Sequence, residues 1–170
     1  MPLHFYDYEP RDFDECCGIF VSNTPQFFHE CELPEYQEYL RDDAAGQYWT
    51  VRDDSRLMIA CGGVWMRSET EANLCYGMVR TEYRKKGMGS LLLTYRLQKL
   101  MANPGLKIIH LDTSQHNPGF FNRFGFATVN TAENHYAPGL HRYDMELAVD
   151  DAKRALVDQA YAKLYQDLAA

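Results

Sequence analysis

No stretch of this chain approaches the ~18 consecutive apolar residues that a membrane-spanning helix needs. The opening Met1-Pro2-Leu3-His4-Phe5-Tyr6-Asp7 contains no apolar run of signal length either. Basic residues are outnumbered: 17 Lys and Arg against 24 Asp and Glu leave a net charge of −7. That balance argues against a general nucleic-acid binder, whose footprint is a basic face, and it allows a cationic partner. The cysteines are odd in number, and the five (Cys16, Cys17, Cys31, Cys61 and Cys75) include one adjacent pair and show no metal-ligand spacing. Neither a disulfide framework nor a metal site is read from them, and reduced thiols in a cytoplasm are the expectation. Repeats and low-complexity tracts are lacking too. What remains is a globular composition, 46% hydrophobic and 24% charged over 170 residues, enough for one domain with its own core.

The richest stretch is Met78-Val79-Arg80-Thr81-Glu82-Tyr83-Arg84-Lys85-Lys86-Gly87-Met88-Gly89-Ser90. An apolar strand enters a basic, glycine-spaced turn that opens into a helix. Gly87 and Gly89 let a ligand approach the backbone. The first helical turn offers N–H groups without intrahelical partners and the positive end of the dipole. Arg84, Lys85 and Lys86 add charge at the same point, so the segment suits a pyrophosphate. It is not a P-loop, because no Gly-x-x-x-x-Gly-Lys-Ser/Thr run exists. Nor is it a dinucleotide fingerprint, because Leu92 occupies the third small position. The bland alternative is a solvated basic helix start.

The rest of the chain reads as alternating strands and helices. Leu3 to Tyr8 is a strand, and Pro10 starts a helix running to Val21. Thr24-Pro25 could open another helix, and Pro34 starts a further one. Gln47–Arg52 and Leu57–Arg67 form a hairpin, in which Gly62-Gly63 marks a bulge or close backbone approach. Strand 72–80 enters the glycine turn, and helix 87–102 follows. Lys107–Thr113 is a strand; then come Asn117-Pro118-Gly119-Phe120-Phe121-Asn122-Arg123-Phe124-Gly125-Phe126, a strand from Phe126, a polar loop, and a last strand from Tyr143 to Val149. From 150 to 168 a separate helix carries Ala152, Leu156, Ala160, Leu164 and Leu168 at every fourth position, to pack on residues 1–149 or form a dimer contact. Monomer and homodimer both stay open.

Arg-x-x-Gly-x-Gly at 84–89, followed by a strand and an aromatic-x-x-x-Gly-Phe block at 121–126, resembles the GNAT superfamily of acyl-CoA-dependent N-acetyltransferases over residues 3–148. The resemblance implies an α/β (α+β) fold: a central mixed, mostly antiparallel sheet flanked by helices, here with an extra C-terminal helix. It implies acetyl-CoA or coenzyme A as cosubstrate, held by Arg84, Lys85, Lys86, Gly87, Met88, Gly89 and Ser90. The backbone of Gly77, Met78 and Val79 would pair with the pantetheine arm and offer an oxyanion-type N–H. Asn117 would contact the cofactor or cap its helix, and Phe121 would pack beside the pantetheine. No metal is implied.

Two positions depart from the family pattern. Phe121 stands where many members carry a Tyr general acid, and Asn73 stands where histone-acetylating members carry a Glu base. A thiol leaves with little help, since its pKa is near ~8.5. Glu71, on the same strand face as Asn73, is the candidate base. Tyr136 and Tyr143 flank the loop 137–140, which in similar proteins lies over the acceptor site; each is a candidate acid, a substrate contact or a half-buried aromatic. Phe27, Phe28, His29, Glu30 and Glu32 suit a cationic or aromatic amine, or form an ordinary amphipathic wall. The expectation is N-acetyl transfer to a primary amine, of a small molecule or a protein, by direct attack. The alternative is a non-catalytic acyl-CoA-binding sensor.

Overall fold

A computed structural model describes residues 2–169. The strands are β1 (Leu3–Asp7), β2 (Tyr48–Asp53), β3 (Met58–Met66), β4 (Glu71–Val79), β5 (Ile108–Ser114), β6 (Ala127–Ala137) and β7 (Leu140–Ala148). The helices are α1 (Phe13–Ser22), α2 (Leu33–Asp42), α3 (Met88–Met101), α4 (Pro118–Asn122) and α5 (Asp151–Ala169). The strands form one seven-stranded sheet in the order β1-β2-β3-β4-β5-β7-β6. Every pairing is antiparallel except β4 with β5. This is the mixed, mostly antiparallel sheet that the sequence implies.

Two of the buried clusters anchor α1, α2 and the middle of α3. Cys16, Ile19 and Phe20 of α1 and Tyr36 and Leu40 of α2 bury against Tyr48, Met58, Cys61 and Met78 of the sheet. Leu93, Leu97 and Leu100 of α3 bury against Val64, Leu74, Ile109 and Leu111. Local chemistry fixes where the helices begin. Ahead of α2, Glu32 accepts the His29 N–H at 2.7 Å while the His29 ring accepts the Cys31 N–H at 3.2 Å, a reciprocal cap. At α5, the Asp150 carboxylate accepts the Lys153 N–H at 2.7 Å. The Arg154 guanidinium then donates to the carbonyls of Met101 and Leu106, both at 3.0 Å, tying α5 to the end of α3.

Three expectations need correction. Thr24-Pro25 opens no helix; the segment turns, because Asn23 and Thr24 spend their side chains on the carbonyls of Ile19 and Val21. The polar stretch after Val129 is no loop: β6 runs on to Ala137 and closes with β7 through a tight turn at Gly139, whose φ is +78°. The buried face of α5 is also not the every-fourth stripe. Leu156 is 63% exposed, whereas Val157, Tyr161, Leu164 and Leu168 contact the domain. At 3.6 residues per turn a strict four-residue repeat drifts around the helix, and only mixed spacings of three and four hold one face. Val157→Ala should therefore cost about 1–2 kcal/mol and Leu156→Ala less than about 0.5 kcal/mol; equal shifts in urea midpoint would contradict this packing.

Candidate active site

Beta4 and β5 pair only at Glu71–Asn73 against Ile108–His110. Beyond that the two strands part, and the gap opens into a cleft of about 2410 Å³ lined from both sides. Small-ligand pockets usually measure ~300–1,000 Å³, so this one has room for two substrates. A bulge in β4 marks the parting. Gly63 pairs with Cys75 and Cys61 with Met78, so Gly62 alone faces both Tyr76 and Gly77. Tyr76 takes a left-handed φ of +42° there. The Tyr48 hydroxyl donates to the Tyr76 carbonyl at 2.9 Å and pins the bulge. The Gly62-Gly63 signal in the sequence thus has a physical counterpart.

The basic turn leaves β4 at one end of this cleft. Its entrance is fixed by the Asn23 amide on the Val79 carbonyl at 3.1 Å and the Thr81 hydroxyl on the Ser22 carbonyl at 2.6 Å. Lys85 and Gly87 take φ of +59° and +85°, which turns the chain into α3. Leu91 is the first α3 residue whose N–H finds a carbonyl, that of Gly87 at 3.0 Å. Among the described residues the N–H groups of Met88, Gly89 and Ser90 have no carbonyl partner, and those of Gly89 and Ser90 lie in the cleft wall. Gly87, Gly89, Ser90, Lys85 and Arg84 line the cleft; Lys86 and Met88 do not. The Lys86 ammonium lies over the Tyr83 ring at 5.4 Å, and the Met88 side chain is buried in the core. Arg84 is partly committed: its guanidinium stacks on Phe27 at 4.3 Å and bonds Asn23, and burial lowers its pKa. The side of α4 facing the turn brings in Asn117, Phe120, Phe121 and Arg123. The Asn117 amide bonds the Thr113 hydroxyl at 3.2 Å rather than capping α4. Gly77, Met78 and Val79 line the cleft from β4.

At the other end the walls are acidic. Glu32, Glu35, Glu38 and Asp42 line the cleft at helical spacing along and just before α2; Asp112, Asp144 and Glu146 of β5 and β7 line it too, with Arg142 bonding Asp144 at 2.7 Å and lying 3.8 Å from Asp112. Of the aromatic and acidic residues expected there, Phe27, Phe28 and Glu32 reach the cleft and His29 and Glu30 do not. Burial, with Glu35 and Asp112 nearby, pushes the Glu32 carboxyl above its usual range. The α2 stripe was readable in principle, since Glu32, Glu35, Glu38 and Asp42 follow the helical period.

The proton-handling groups form two clusters. Glu71 does not line the cleft; its carboxylate meets His110 Nε2 at 2.9 Å, and His110 does line it. Glu146 faces the other ring nitrogen, Nδ1, at 3.2 Å. The Tyr136 hydroxyl donates to Asp112 at 2.5 Å; burial and that carboxylate hold its pKa well above that of an ordinary phenol, which makes it a poor acid. Tyr143 is not among the residues that line the cleft, although its neighbours Arg142 and Asp144 and its register partner Thr113 are. Asn73 Oδ1 and Ser114 Oγ line the cleft without a partner among the described residues.

A strand that splays from its parallel neighbour at a bulge and runs into a glycine turn with bare helix N–H groups is a strong structural signature, and sequence comparison gives it a family. The model of the acetyltransferase (GNAT) family matches residues 13–126. The chain belongs to that family. No curated protein sequence matches it. Solved structures of similar fold include Ard1 from Thermoplasma volcanium, 16% identical with a TM-score of 0.73 over 89% of this chain and 100% of that one. An aminoglycoside 6'-N-acetyltransferase complexed with coenzyme A is 17% identical, with a TM-score of 0.65 over 87% of this chain and 97% of that one. The ribosomal-protein-S18-alanine N-acetyltransferase from Escherichia coli is 16% identical, with a TM-score of 0.67 over 87% and 94%. This GNAT chain is thus an acetyltransferase by family. Among the described residues, none of its helices is long and apolar enough to cross a membrane.

Proposed function

We propose that this GNAT protein transfers the acetyl group of acetyl-CoA to a cationic primary amine by direct attack. The observation that carries the reading is the polarity of the cleft. One end offers the N–H groups of Gly89 and Ser90, without a carbonyl among the described residues, beside Lys85 and Arg84; at the other the α2 carboxylates Glu35, Glu38 and Asp42 carry the acidity, while Arg142 pairs with Asp112 and Asp144. The first suits the coenzyme's pyrophosphate; the second suits an ammonium or a chain of them. Gly77, Met78 and Val79 lie between the two, where the pantetheine arm would pair with the edge that β4 leaves free.

The attacking nitrogen must be neutral, and an alkylammonium resembles Lys with a pKa of ~10.4. His110 faces the cleft and is gripped at both ring nitrogens by Glu71 and Glu146. In this reading the His110 Nε2–H donates to Glu71 and the amine proton reaches Nδ1 through the cleft-lining Glu146 carboxylate, so Glu71 acts through the ring rather than on the amine. Asp112, with Tyr136 bonded to it, is a substrate contact.

Phe121 then has no proton to give and serves as packing beside the pantetheine. Phe121→Tyr should keep or modestly raise kcat, while Phe121→Leu should raise the KM for acetyl-CoA a few-fold. Full activity and coenzyme affinity in the Leu variant would remove the packing role.

The second reading is an acyl-CoA-binding sensor. It is favoured by Phe121 standing where many family members carry a Tyr acid and Asn73 where histone-acetylating members carry a Glu base. Thiol release from acetyl-CoA across a panel of monoamines, polyamines and basic peptides separates the two. Turnover that prefers cationic acceptors supports the enzyme; coenzyme binding with no turnover on any acceptor supports the sensor.

A further inference from the structure

Arg96 lies two turns into α3 and is 4% exposed, the one fully buried cation among the described residues. Its Nη1 donates to the carbonyls of Gly63 and Cys75, each at 3.4 Å, and its Nε has no partner. Among the described residues no carboxylate pairs with it. The groups that face it are Cys61 of β3, Cys75 of β4, Tyr39 of α2 and Tyr48 of β2. A guanidinium keeps its proton even when buried, so the charge is real and uncompensated.

The sequence makes room for it at some cost. A Cβ at Gly77 would stand 2.5 Å from Arg96 Nη2, and one at Gly62 would stand 3.2 Å from Cζ. Only the glycine pair facing each other across β3 and β4 admits the guanidinium. Burying a charge without a counter-ion is destabilising, and an apolar residue of similar volume would hold the same space more cheaply. The charge is therefore retained for something other than stability.

What lies beside it is the bulge. The Cys75 carbonyl that Arg96 bonds belongs to the same peptide group as the Tyr76 N–H. The Tyr76 carbonyl that Tyr48 bonds at 2.9 Å belongs to the same peptide group as the Gly77 N–H. A donor on a peptide oxygen polarises the N–H at the other end of that peptide. Both amides of the bulge are thus strengthened as donors, at the point where β4 leaves β5 and the cleft opens.

We propose that Arg96 is a positioning and electrostatic residue for acetyl transfer: it fixes the bulge and, through it, stabilises the negative charge that develops on the thioester oxygen and then on the departing thiolate. The inference rests on the acetyl-transfer reading. The amine lone pair forms the C–N bond, and the carbonyl π pair moves to oxygen. When that pair returns, the C–S bond breaks, sulfur leaves with its electrons, and the amine proton goes to His110 or water. Arg96 neither gains nor loses a proton. Its fixed charge in a water-poor site does the work that a Tyr acid does elsewhere, which accounts for a chain that manages with Phe121.

The test uses the full chain with acetyl-CoA, coenzyme A and desulfo-coenzyme A. In the wild type, difference absorbance between the coenzyme A and desulfo-coenzyme A complexes should show the bound thiol ionising at least tenfold more readily than free coenzyme A; no difference would overturn the proposal. Arg96→Met should lose that effect and lower kcat about 10- to 100-fold with little change in the KM for acetyl-CoA, while its melting temperature holds or rises. Arg96→Lys, which keeps the charge, should retain kcat within a few-fold. Unchanged kcat in Arg96→Met, or equal losses in the Met and Lys variants, would overturn it. A wild type that binds no coenzyme A would overturn the acetyl-transfer reading as well.

Discussion

Gly89→Val is expected to weaken coenzyme A binding by about 100-fold, or about 2.7 kcal/mol, with the fold intact. The two halves of this expectation come from different observations. In the protein alone, a Cβ at Gly89 would meet only Phe120 at 3.6 Å and Val79 at 3.9 Å, which is ordinary contact. Its φ is not in the left-handed range, so a side chain brings no backbone strain. The melting temperature should therefore shift by no more than about 3 °C. The damage falls on the ligand, because the Gly89 N–H, at the start of α3, has no carbonyl partner among the described residues. A branched side chain there stands in the path of a phosphate approaching those donors. Gly87→Val is the contrasting variant. It forces a branched residue to φ +85° and presses on Leu168 at 3.4 Å, so it should lose stability and binding together. Calorimetry on Gly89→Val that returns wild-type affinity would remove the turn from the coenzyme site.

His110→Ala is expected to cut kcat by ~10²–10⁴-fold, the usual worth of a positioned base. The remaining rate should climb with pH as free amine becomes available without help. Glu71→Gln should cost less, because its carboxylate reaches the cleft only through the ring, and Glu146 still holds Nδ1. The double variant should be little worse than His110→Ala alone, since residues that act as one unit are not additive. Less than a threefold loss in His110→Ala, with the acidic limb of the rate profile unmoved, would transfer the role to Asp112 or to water.

Much of this architecture was legible because it depends on backbone punctuation. The strand, the glycine-spaced turn and the helix from Met88 could be read directly, as glycine spacing at a helix start has few other uses. The second block at 117–126 set the order of the remaining elements. The sites that escaped reading depend on what long-range packing does to ordinary residues. Arg96 sits among Leu91, Leu92, Leu93 and Leu97, where a lone arginine on an apolar helix reads as its solvent-facing residue; only the facing glycines 62 and 77 show that it points inward. Tyr143 and Tyr136 were indistinguishable in the sequence, whereas in the structure Tyr136 lines the cleft and Tyr143 does not. Glu71 shares its strand face with Asn73, as the period of two requires, yet it lies at the closed end where β4 and β5 are still paired. His110 was one of four histidines in the second half of the chain, with nothing local to single it out.

The sheet is sewn to itself between β4 and β5 by three residue pairs at one end. Everything from β1 to β4 forms one panel and β5, β7 and β6 form another, with α3 and α5 bracing the join. A pantetheine arm lying along β4 would extend that short seam in the manner of an added strand. Cosubstrate loading would then change the mechanical continuity of the whole sheet, and the unloaded protein should yield first along that line under force or partial denaturation.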